Sequence, residues 1–358
     1  MLILCFCTAT LCAQNEEKSP YFADATYYYG SLLLTNKDAA QIVRNQPEGV
    51  IFGLHKQTFG DKIWHEKFNY PDWGISLGYQ NYKSEVLGKN IVAYGHFNFY
   101  FLKRQLQFRI AQGLGVNTAP FNYETNFKNN AFGSRLIAST FFMLNYQKRN
   151  IYRGIGVQGG VSFIHHSNGS FKAPNTGTNL IALNLGLIYD FETDEPKYRT
   201  IADTNNYNEP LHLNLFLRTG INEGDTVGLG QYPFLTLGFS VDKRTSYKST
   251  FRLGTEIFFS KFLEKEIENR AIAFFNPDLA ETDYKRVGLF IGYDWRISKI
   301  SIPIDFGYYV YYPYSYQSRV YERIGLKYSF NNNLYATFTV KAHILDAEAV
   351  EFGVGIRI

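Results

Sequence analysis

The chain has 358 residues, a formal net charge of +4 and a mean hydropathy of −0.23. Aromatic residues make up 17% of it, with 28 Tyr and 31 Phe, and there are 30 Gly. These values exclude collagen, coiled coils, general disorder and an α-helical membrane protein, and so mild a charge is not a nucleic-acid signature. Tyr, Phe and Gly at this density favour strands over helices. The composition therefore predicts a β-rich chain with aromatic strands.

Residues 1–14 form an apolar stretch that ends in small residues and precedes a polar segment. This pattern is typical of a secretory signal peptide, although the usual basic start is missing, which leaves open a start further upstream. A buried N-terminal strand and a lipid anchor on Cys12 are the alternatives. All three cysteines, Cys5, Cys7 and Cys12, lie in this segment. The mature chain would then have neither disulfides nor thiolate metal sites.

Apolar residues alternate with small, polar or charged residues through most of the remaining chain. In the last segment, Val350, Phe352, Val354 and Ile356 alternate with Glu351, Gly353, Gly355 and Arg357. Many such segments reach about ten residues, and charges lie within several of them, such as Arg109, Arg252, Glu256 and Arg323. A soluble β-sandwich, the alternative, has strands of about 5–6 residues with apolar faces packed inward. Strand length and central charges favour an antiparallel transmembrane β-barrel, apolar toward lipid and polar toward the lumen.

About sixteen alternating segments predict an all-β chain, built as one large barrel or as two eight-stranded halves. The expected division is a signal peptide at 1–14, a first barrel region at 15–193, a linker or periplasmic loop at 194–209, and a second barrel half of unknown role at 210–358. In the second half, short turns alternate with long loops, as in barrels with one end toward the periplasm and the other toward the cell surface. Residues 264–270 are expected to form a short solvated helix in one of these loops.

The most informative segment is the strand that ends in His165, His166 and Ser167. Residues i and i+2 share a face of a strand, so His165 and Ser167 continue the apolar, lipid-directed face. If 168–178 is a loop between antiparallel strands, Asn179 comes to lie opposite His165. A hydroxyl, an imidazole and an amide oxygen would converge there, which is an arrangement for nucleophilic acyl transfer. The alternative interpretation is that the two histidines are merely interfacial side chains.

At these residues the sequence resembles a known family. His165-x-Ser167-Asn168-Gly169, followed by Pro174-Asn175-Thr176-Gly177-Thr178-Asn179, is similar to the active-site segment of outer-membrane lipid A 3-O-deacylases and acyloxyacyl hydrolase-like proteins. Further similarity lies in Tyr70-Pro71-Asp72-Trp73-Gly74 and in Asn126-x-Lys128-Asn129, so the resemblance spans roughly residues 45–193.

The resemblance implies a serine esterase of the bacterial outer membrane that removes ester-linked acyl chains from lipid A, with its site toward the outer leaflet. It implies that Ser167 is the nucleophile and His165 the base, with Asn168, Gly169 and Asn175 near the oxyanion or positioning the substrate. The best-known lipid A deacylases have Glu at the third position, where this chain has Asn179. An amide can orient an imidazole but cannot offset imidazolium charge, so a slower or differently tuned enzyme is expected.

Two other interpretations stay open. Outer-membrane phospholipase A shares the His-x-Ser-Asn-Gly core and has Asn at the third position, which would make a phospholipid the substrate. The calcium of that family is not expected here because the 168–178 loop has no carboxylate. The second alternative is a non-enzymatic, porin-like or structural barrel. The expected partners are thus lipopolysaccharide or phospholipid and the outer membrane, with no nucleic acid, no cofactor and no metal.

Overall fold

The computed structural model describes residues 20–33, 45–194, 197–203, 205–344 and 346–358. The segment predicted to be a signal peptide lies outside these described residues. Within them, sixteen antiparallel strands form two closed barrels of eight strands each. The all-β prediction is therefore confirmed, and of the two arrangements left open by the sequence the chain adopts the two eight-stranded barrels.

The N-terminal barrel contains β1 (Tyr21–Leu33), β2 (Glu48–Lys56), β3 (Asp72–Asn81), β4 (Lys89–Phe101), β5 (Leu106–Asn117), β6 (Leu136–Tyr152), β7 (Ile155–Ser167) and β8 (Thr178–Asp190), and closes by pairing of β1 with β8. The C-terminal barrel contains β9 (Leu211–Asn222), β10 (Tyr232–Arg244), β11 (Ser249–Ser260), β12 (Arg286–Arg296), β13 (Ile300–Tyr311), β14 (Val320–Ser329), β15 (Leu334–His343) and β16 (Asp346–Arg357), and closes by pairing of β16 with β9.

Alternation along each strand separates a lipid-facing side from a polar interior. On β8, Leu183 and Leu185 are about seven-tenths exposed, whereas Asn184 between them is buried. In the N-terminal barrel the fully buried Arg109 donates through Nη2 to Asp24 Oδ2 at 2.5 Å and through Nε to Asn98 Oδ1 at 2.8 Å. Eight strands leave an interior just wide enough for side chains to fill, and buried charges in it require partners of this kind.

The interior of the C-terminal barrel holds a larger network of ion pairs. Arg323 lies at its centre, with Nη1 donating to Glu256 Oε1 at 3.0 Å and Nε donating to Glu351 Oε2 at 2.5 Å. Arg252 binds Asp305 nearby, with 2.6 Å between Nη2 and Oδ1. The mid-strand charges that the sequence placed in a lumen are therefore buried there and paired.

Connections differ between the two ends of the barrels, which we call the loop end and the turn end. Short connections lie at the turn end, at 102–105, 153–154, 245–248, 297–299 and 330–333. Longer ones lie at the loop end, at 118–135, 168–177, 223–231, 261–285 and 312–319. One departure from this pattern is 57–71, a long connection at the turn end that contains α1 (Ile63–Lys67).

The barrels touch at the turn end through outward-facing aromatic residues. Phe68 and Phe99 of the N-terminal barrel pack on Trp295, with ring centroids 5.6 and 5.3 Å away. An ion pair between Lys67 Nζ and Asp203 Oδ2, 3.0 Å apart, ties the α1 connection to the segment between the barrels. These contacts bury apolar surface that would otherwise face lipid or water.

One loop of the C-terminal barrel is helical, with α2 (Lys261–Ala273) and α3 (Pro277–Ala280). The helix expected at 264–270 is therefore present but longer. It is also less solvated than expected, because Phe262, Leu263 and Ile267 are buried and pack near Tyr314 and Tyr316. In the described part of the chain, no helix combines the length and the apolar character needed to cross a membrane.

Candidate active site

The site is built on the paired ends of β7 and β8. The register of these strands places His165 directly opposite Asn179. The Nδ1 of His165 donates to the Oδ1 of Asn179 over 2.7 Å. In a neutral imidazole this leaves the Nε2 unprotonated and able to accept a proton. The structure thus brings the two residues together as the sequence predicted, while their catalytic roles stay a prediction.

Ser167 lies two residues beyond His165 on the same outward face of β7, which otherwise carries apolar residues such as Val161 and Phe163. The serine is mostly buried, with about 8% of its surface exposed. Its Oγ accepts from the backbone N–H of Gly169 at 3.3 Å. Among the described residues, no hydrogen bond joins Ser167 to His165; such bonds are often long before substrate binds. The hydroxyl therefore shares a strand face with the imidazole and accepts a hydrogen bond from a backbone donor.

The loop that follows, residues 168–177, is called the active-site loop here. The backbone N–H of Asn168 donates to Asn175 Oδ1 at 2.7 Å, and the Asn168 side chain donates to the carbonyl of Lys172 at 2.6 Å. Both predicted asparagines are therefore engaged in shaping the loop. The N–H of Gly169, a residue with a φ of +63°, is the donor that points at the serine.

A second loop of the N-terminal barrel, residues 118–135, is hydrogen-bonded to the active-site loop. The backbone of Thr176 and Gly177 donates to the carbonyls of Asn130 and Ala131 at 3.1 and 3.2 Å. Asn129 stabilises the 118–135 loop, which serves as a platform for the active-site loop, since its Oδ1 accepts from Ala131 N at 3.0 Å. The Asn-x-Lys-Asn motif of the sequence thus acts on the shape of the platform.

Gly177 covers both candidate catalytic side chains. Its φ is +62°, in the left-handed region that favours glycine. A Cβ added there would lie 3.2 Å from Ser167 Cβ, 3.4 Å from His165 Cε1 and 2.8 Å from the carbonyl oxygen of His166. A side chain at this position would therefore fill the space over the serine and the imidazole.

A polar row crosses the lipid-facing wall at the level of His165. Strand register places Gln112 of β5 opposite Thr140 of β6, and Thr140 opposite His165. The Thr140 hydroxyl donates to Gln112 Oε1 at 2.5 Å. In the described part of the chain, the Nε2 of Gln112 has no hydrogen-bond partner. Sequence reasoning missed both residues, although each is a polar interruption in an apolar alternation.

Hydrogen bonds also hold the ends of β7 and β8 on the lumenal side of the barrel wall. His166 faces the lumen, where it is buried and its Nε2 lies 3.2 Å from Gln80 Oε1, so it is not part of the lipid-facing site. The hydroxyls of Tyr82 and Thr178 bond at 2.7 Å just before Asn179. Ser139 donates to the carbonyl of His165 at 2.9 Å. These bonds fix the backbone from which the outward side chains project.

No cluster of His, Cys, Asp and Glu side chains suited to a metal ion occurs in the residues that the structure describes. His55 lies within a buried lumenal group, 2.7 Å from a nitrogen of His96 and 3.2 Å from Asp24. This group is enclosed by the N-terminal barrel and does not contact the lipid-facing site.

The outward apolar faces and the closed antiparallel pairing define an integral β-barrel protein of the bacterial outer membrane. Residues 48–187 match the family model described as lipid A 3-O-deacylase (PagL), and residues 211–358 match the model described as acyloxyacyl hydrolase, C-terminal domain. The resemblance to lipid A 3-O-deacylases and acyloxyacyl hydrolase-like proteins that the sequence predicts is therefore confirmed by two family models, one for each barrel.

Solved structures to which the chain is similar include the outer membrane enzyme PagL, at 18% identity and a TM-score of 0.29, covering 47% of this chain and 99% of that one. The siderophore receptor PirA from Acinetobacter baumannii is 8% identical with a TM-score of 0.22, over 92% of this chain and 44% of that one. A mutant Rh. blastica porin is 9% identical with a TM-score of 0.18, over 94% and 99%. No curated protein matches the chain.

Proposed function

We propose that the chain is a serine esterase that removes an ester-linked acyl chain from lipid A. The observation that carries this proposal is the bond of 2.7 Å between His165 and Asn179 on the lipid-facing wall, beside Ser167. That bond holds the imidazole in the tautomer a general base requires. The match to lipid A deacylases over residues 48–187 supports lipid A as the substrate.

The reaction follows from the positions of these groups. Ser167 Oγ attacks the ester carbonyl carbon while His165 Nε2 takes its proton. The bond from the acyl carbon to the sugar oxygen then breaks, and the imidazolium returns the proton to the departing oxygen. A water molecule, activated by the same histidine, hydrolyses the acyl-serine and releases the fatty acid. The N–H of Gly169 is placed to stabilise the oxyanion, and Asn168 and Asn175 hold the loop that carries it.

In this proposal residues 15–193 carry the chemistry, residues 194–209 link the barrels, and residues 210–358 form the second barrel half. The site lies at the loop end, which supports an orientation toward the outer leaflet because outer-membrane barrels have short periplasmic turns and longer extracellular loops. Lipid A would approach sideways, with its acyl chains along the apolar wall and its ester at the level of His165.

Incubation of the full-length chain with lipopolysaccharide tests the proposal. Release of 3-hydroxy fatty acid is expected, with a loss of at least about a thousandfold in Ser167→Ala. Ser162→Ala is the matched control, since Ser162 lies on the same strand but faces the lumen, where it accepts from Asn184 at 2.8 Å. Undiminished release by Ser167→Ala would overturn the mechanism.

One observation favours a second substrate. The third residue is an amide, Asn179, as in outer-membrane phospholipase A, so phospholipid is the alternative ester. Fatty acid release from phospholipid vesicles, with lipid A left intact, would select it. The porin-like alternative is opposed by the filled interiors of both eight-stranded barrels. Ion conductance in planar bilayers, without labelling by a fluorophosphonate, would select a pore.

A further inference from the structure

The active-site loop belongs to the N-terminal barrel but is contacted by residues of the C-terminal barrel. A Cβ added at Gly169 would meet the Cγ2 of Val350, a residue of β16, at 2.3 Å. The hydroxyl of Ser170 donates to the carbonyl of Ala347, also on β16. The C-terminal barrel therefore reaches the residue whose N–H points at Ser167.

A single buried carboxylate, that of Glu223, connects the C-terminal barrel to the active-site loop. Glu223 follows directly after β9 and is about 3% exposed. Its Oε2 accepts from the backbone N–H of Ala173 at 2.8 Å, and its own N–H donates to the carbonyl of Ser170 at 3.1 Å. Gln231, at the other end of the same connection, donates from Nε2 to the carbonyl of Phe171 at 2.7 Å. Three polar contacts thus run along the middle of the active-site loop.

The other oxygen of this carboxylate is used within the C-terminal barrel. Glu223 Oε1 accepts from the backbone N–H groups of Gly228 and Gly230 at 3.0 and 3.2 Å. The 223–231 connection therefore folds around the Glu223 carboxylate, which also binds the N–H of Ala173. A carboxylate accepts at both oxygens, whereas an amide accepts at one and donates at the other. Only a carboxylate can bind both sets of N–H groups at once.

We propose that the C-terminal barrel is a positioning element of the active site, and that Glu223 is the residue through which it fixes the loop carrying Gly169. This proposal rests on the proposed function of the N-terminal barrel. It gives residues 210–358 a role in the same reaction. Small errors in the position of an oxyanion donor reduce rates strongly, so an external clamp on a ten-residue loop affects turnover.

The test compares Glu223→Gln with Glu266→Gln in the full-length chain. Glu266 is a matched control because it is buried to a similar extent in a loop of the same barrel, where it accepts from Thr226 and Arg270 at 2.7 and 2.6 Å. Whichever way the amide introduced by Glu223→Gln is oriented, either Ala173 or the two glycines lose their acceptor. Heat-modifiable migration on gels verifies that both variants form barrels.

Two readouts are needed. In Glu223→Gln, hydrogen exchange at residues 171–173 is expected to accelerate about tenfold or more, and kcat and the rate of fluorophosphonate labelling to fall by about tenfold with KM within about twofold. Glu266→Gln should match the wild type in each. Unchanged exchange both at residues 171–173 and at Gly228 and Gly230 would overturn the clamp. Faster exchange with unchanged labelling and kcat would overturn the positioning role. Failure of the wild type to be labelled would instead overturn the proposed function, and exchange would still decide whether the C-terminal barrel holds the loop.

Discussion

His165 and Asn179 occupy directly opposed positions of β7 and β8, and a hydrogen bond of 2.7 Å joins Nδ1 of the histidine to Oδ1 of the asparagine. The third residue of the candidate triad is thus neutral. It fixes the tautomer and the ring orientation but does not stabilise the imidazolium by charge.

Two substitutions of the neutral partner, Asn179, are predicted to change kcat in opposite directions. Asn179→Leu removes the acceptor, and we expect kcat to fall by about a hundredfold or more. Asn179→Asp keeps the shape and adds a charge, and hydrogen bonds to charged groups are stronger than neutral ones by about 1 kcal/mol. We expect kcat to rise about five- to tenfold in Asn179→Asp. Steady-state deacylation of lipopolysaccharide measures both, and an Asp variant slower than the wild type would contradict the argument.

Gly177 is predicted to tolerate no side chain without loss of activity. In Gly177→Ala, the methyl group would occupy the space over Ser167 and His165, and the left-handed backbone would cost about 1–2 kcal/mol. We expect roughly a ten- to hundredfold loss of kcat with the barrel still formed. Gly154→Ala is the control, since Gly154 also has a positive φ, of +84°, but lies in a turn at the far end of β7. Equal losses in both variants would assign the effect to backbone strain alone.

The pairing of His165 with Asn179 could be predicted because it depends on two local rules. Alternation along a strand puts His165 and Ser167 on one face, and a loop between neighbouring antiparallel strands brings the next polar residue opposite. The two-barrel architecture was left open, because the strand count alone does not say where a sheet closes. That closure depends on the pairing of β1 with β8, which are far apart in the chain.

Other features depend on long-range packing and were beyond sequence reasoning. Neighbouring tyrosines near strand ends differ in orientation: Tyr28 and Tyr309 are buried inside the barrels, whereas Tyr27 and Tyr29 face outward. Alternation assigns faces only once register is known. The contact of Glu223 with Ala173 joins residues of different barrels, and nothing in the local sequence of either indicates it.

Gln112 is predicted to bind a polar group of the substrate near the scissile ester. Its Oε1 is used by Thr140, which leaves its Nε2 to donate into the lipid-facing site. We expect Gln112→Leu to raise the KM for lipopolysaccharide about three- to tenfold, the effect of one hydrogen bond, with fluorophosphonate labelling of Ser167 unchanged. Gln105→Leu, the same substitution in the exposed turn before β5, is the control. A normal KM in Gln112→Leu would restrict this residue to a structural role.

Arg323 is predicted to be essential for the C-terminal barrel. Its guanidinium binds Glu256 and Glu351 and lies 3.4 Å from Asp305, so Arg323→Leu would leave three buried carboxylates without their central cation. Removing one partner of a buried ionic network costs about 3–5 kcal/mol. We expect urea unfolding, followed by heat-modifiable gel migration, to shift to lower urea by that free energy. Arg319→Leu is the control, because Arg319 is an exposed residue at the end of the 312–319 loop and donates to Tyr308 over a long 3.4 Å. If both variants unfold at the same urea concentration as the wild type, the buried network does not stabilise the barrel.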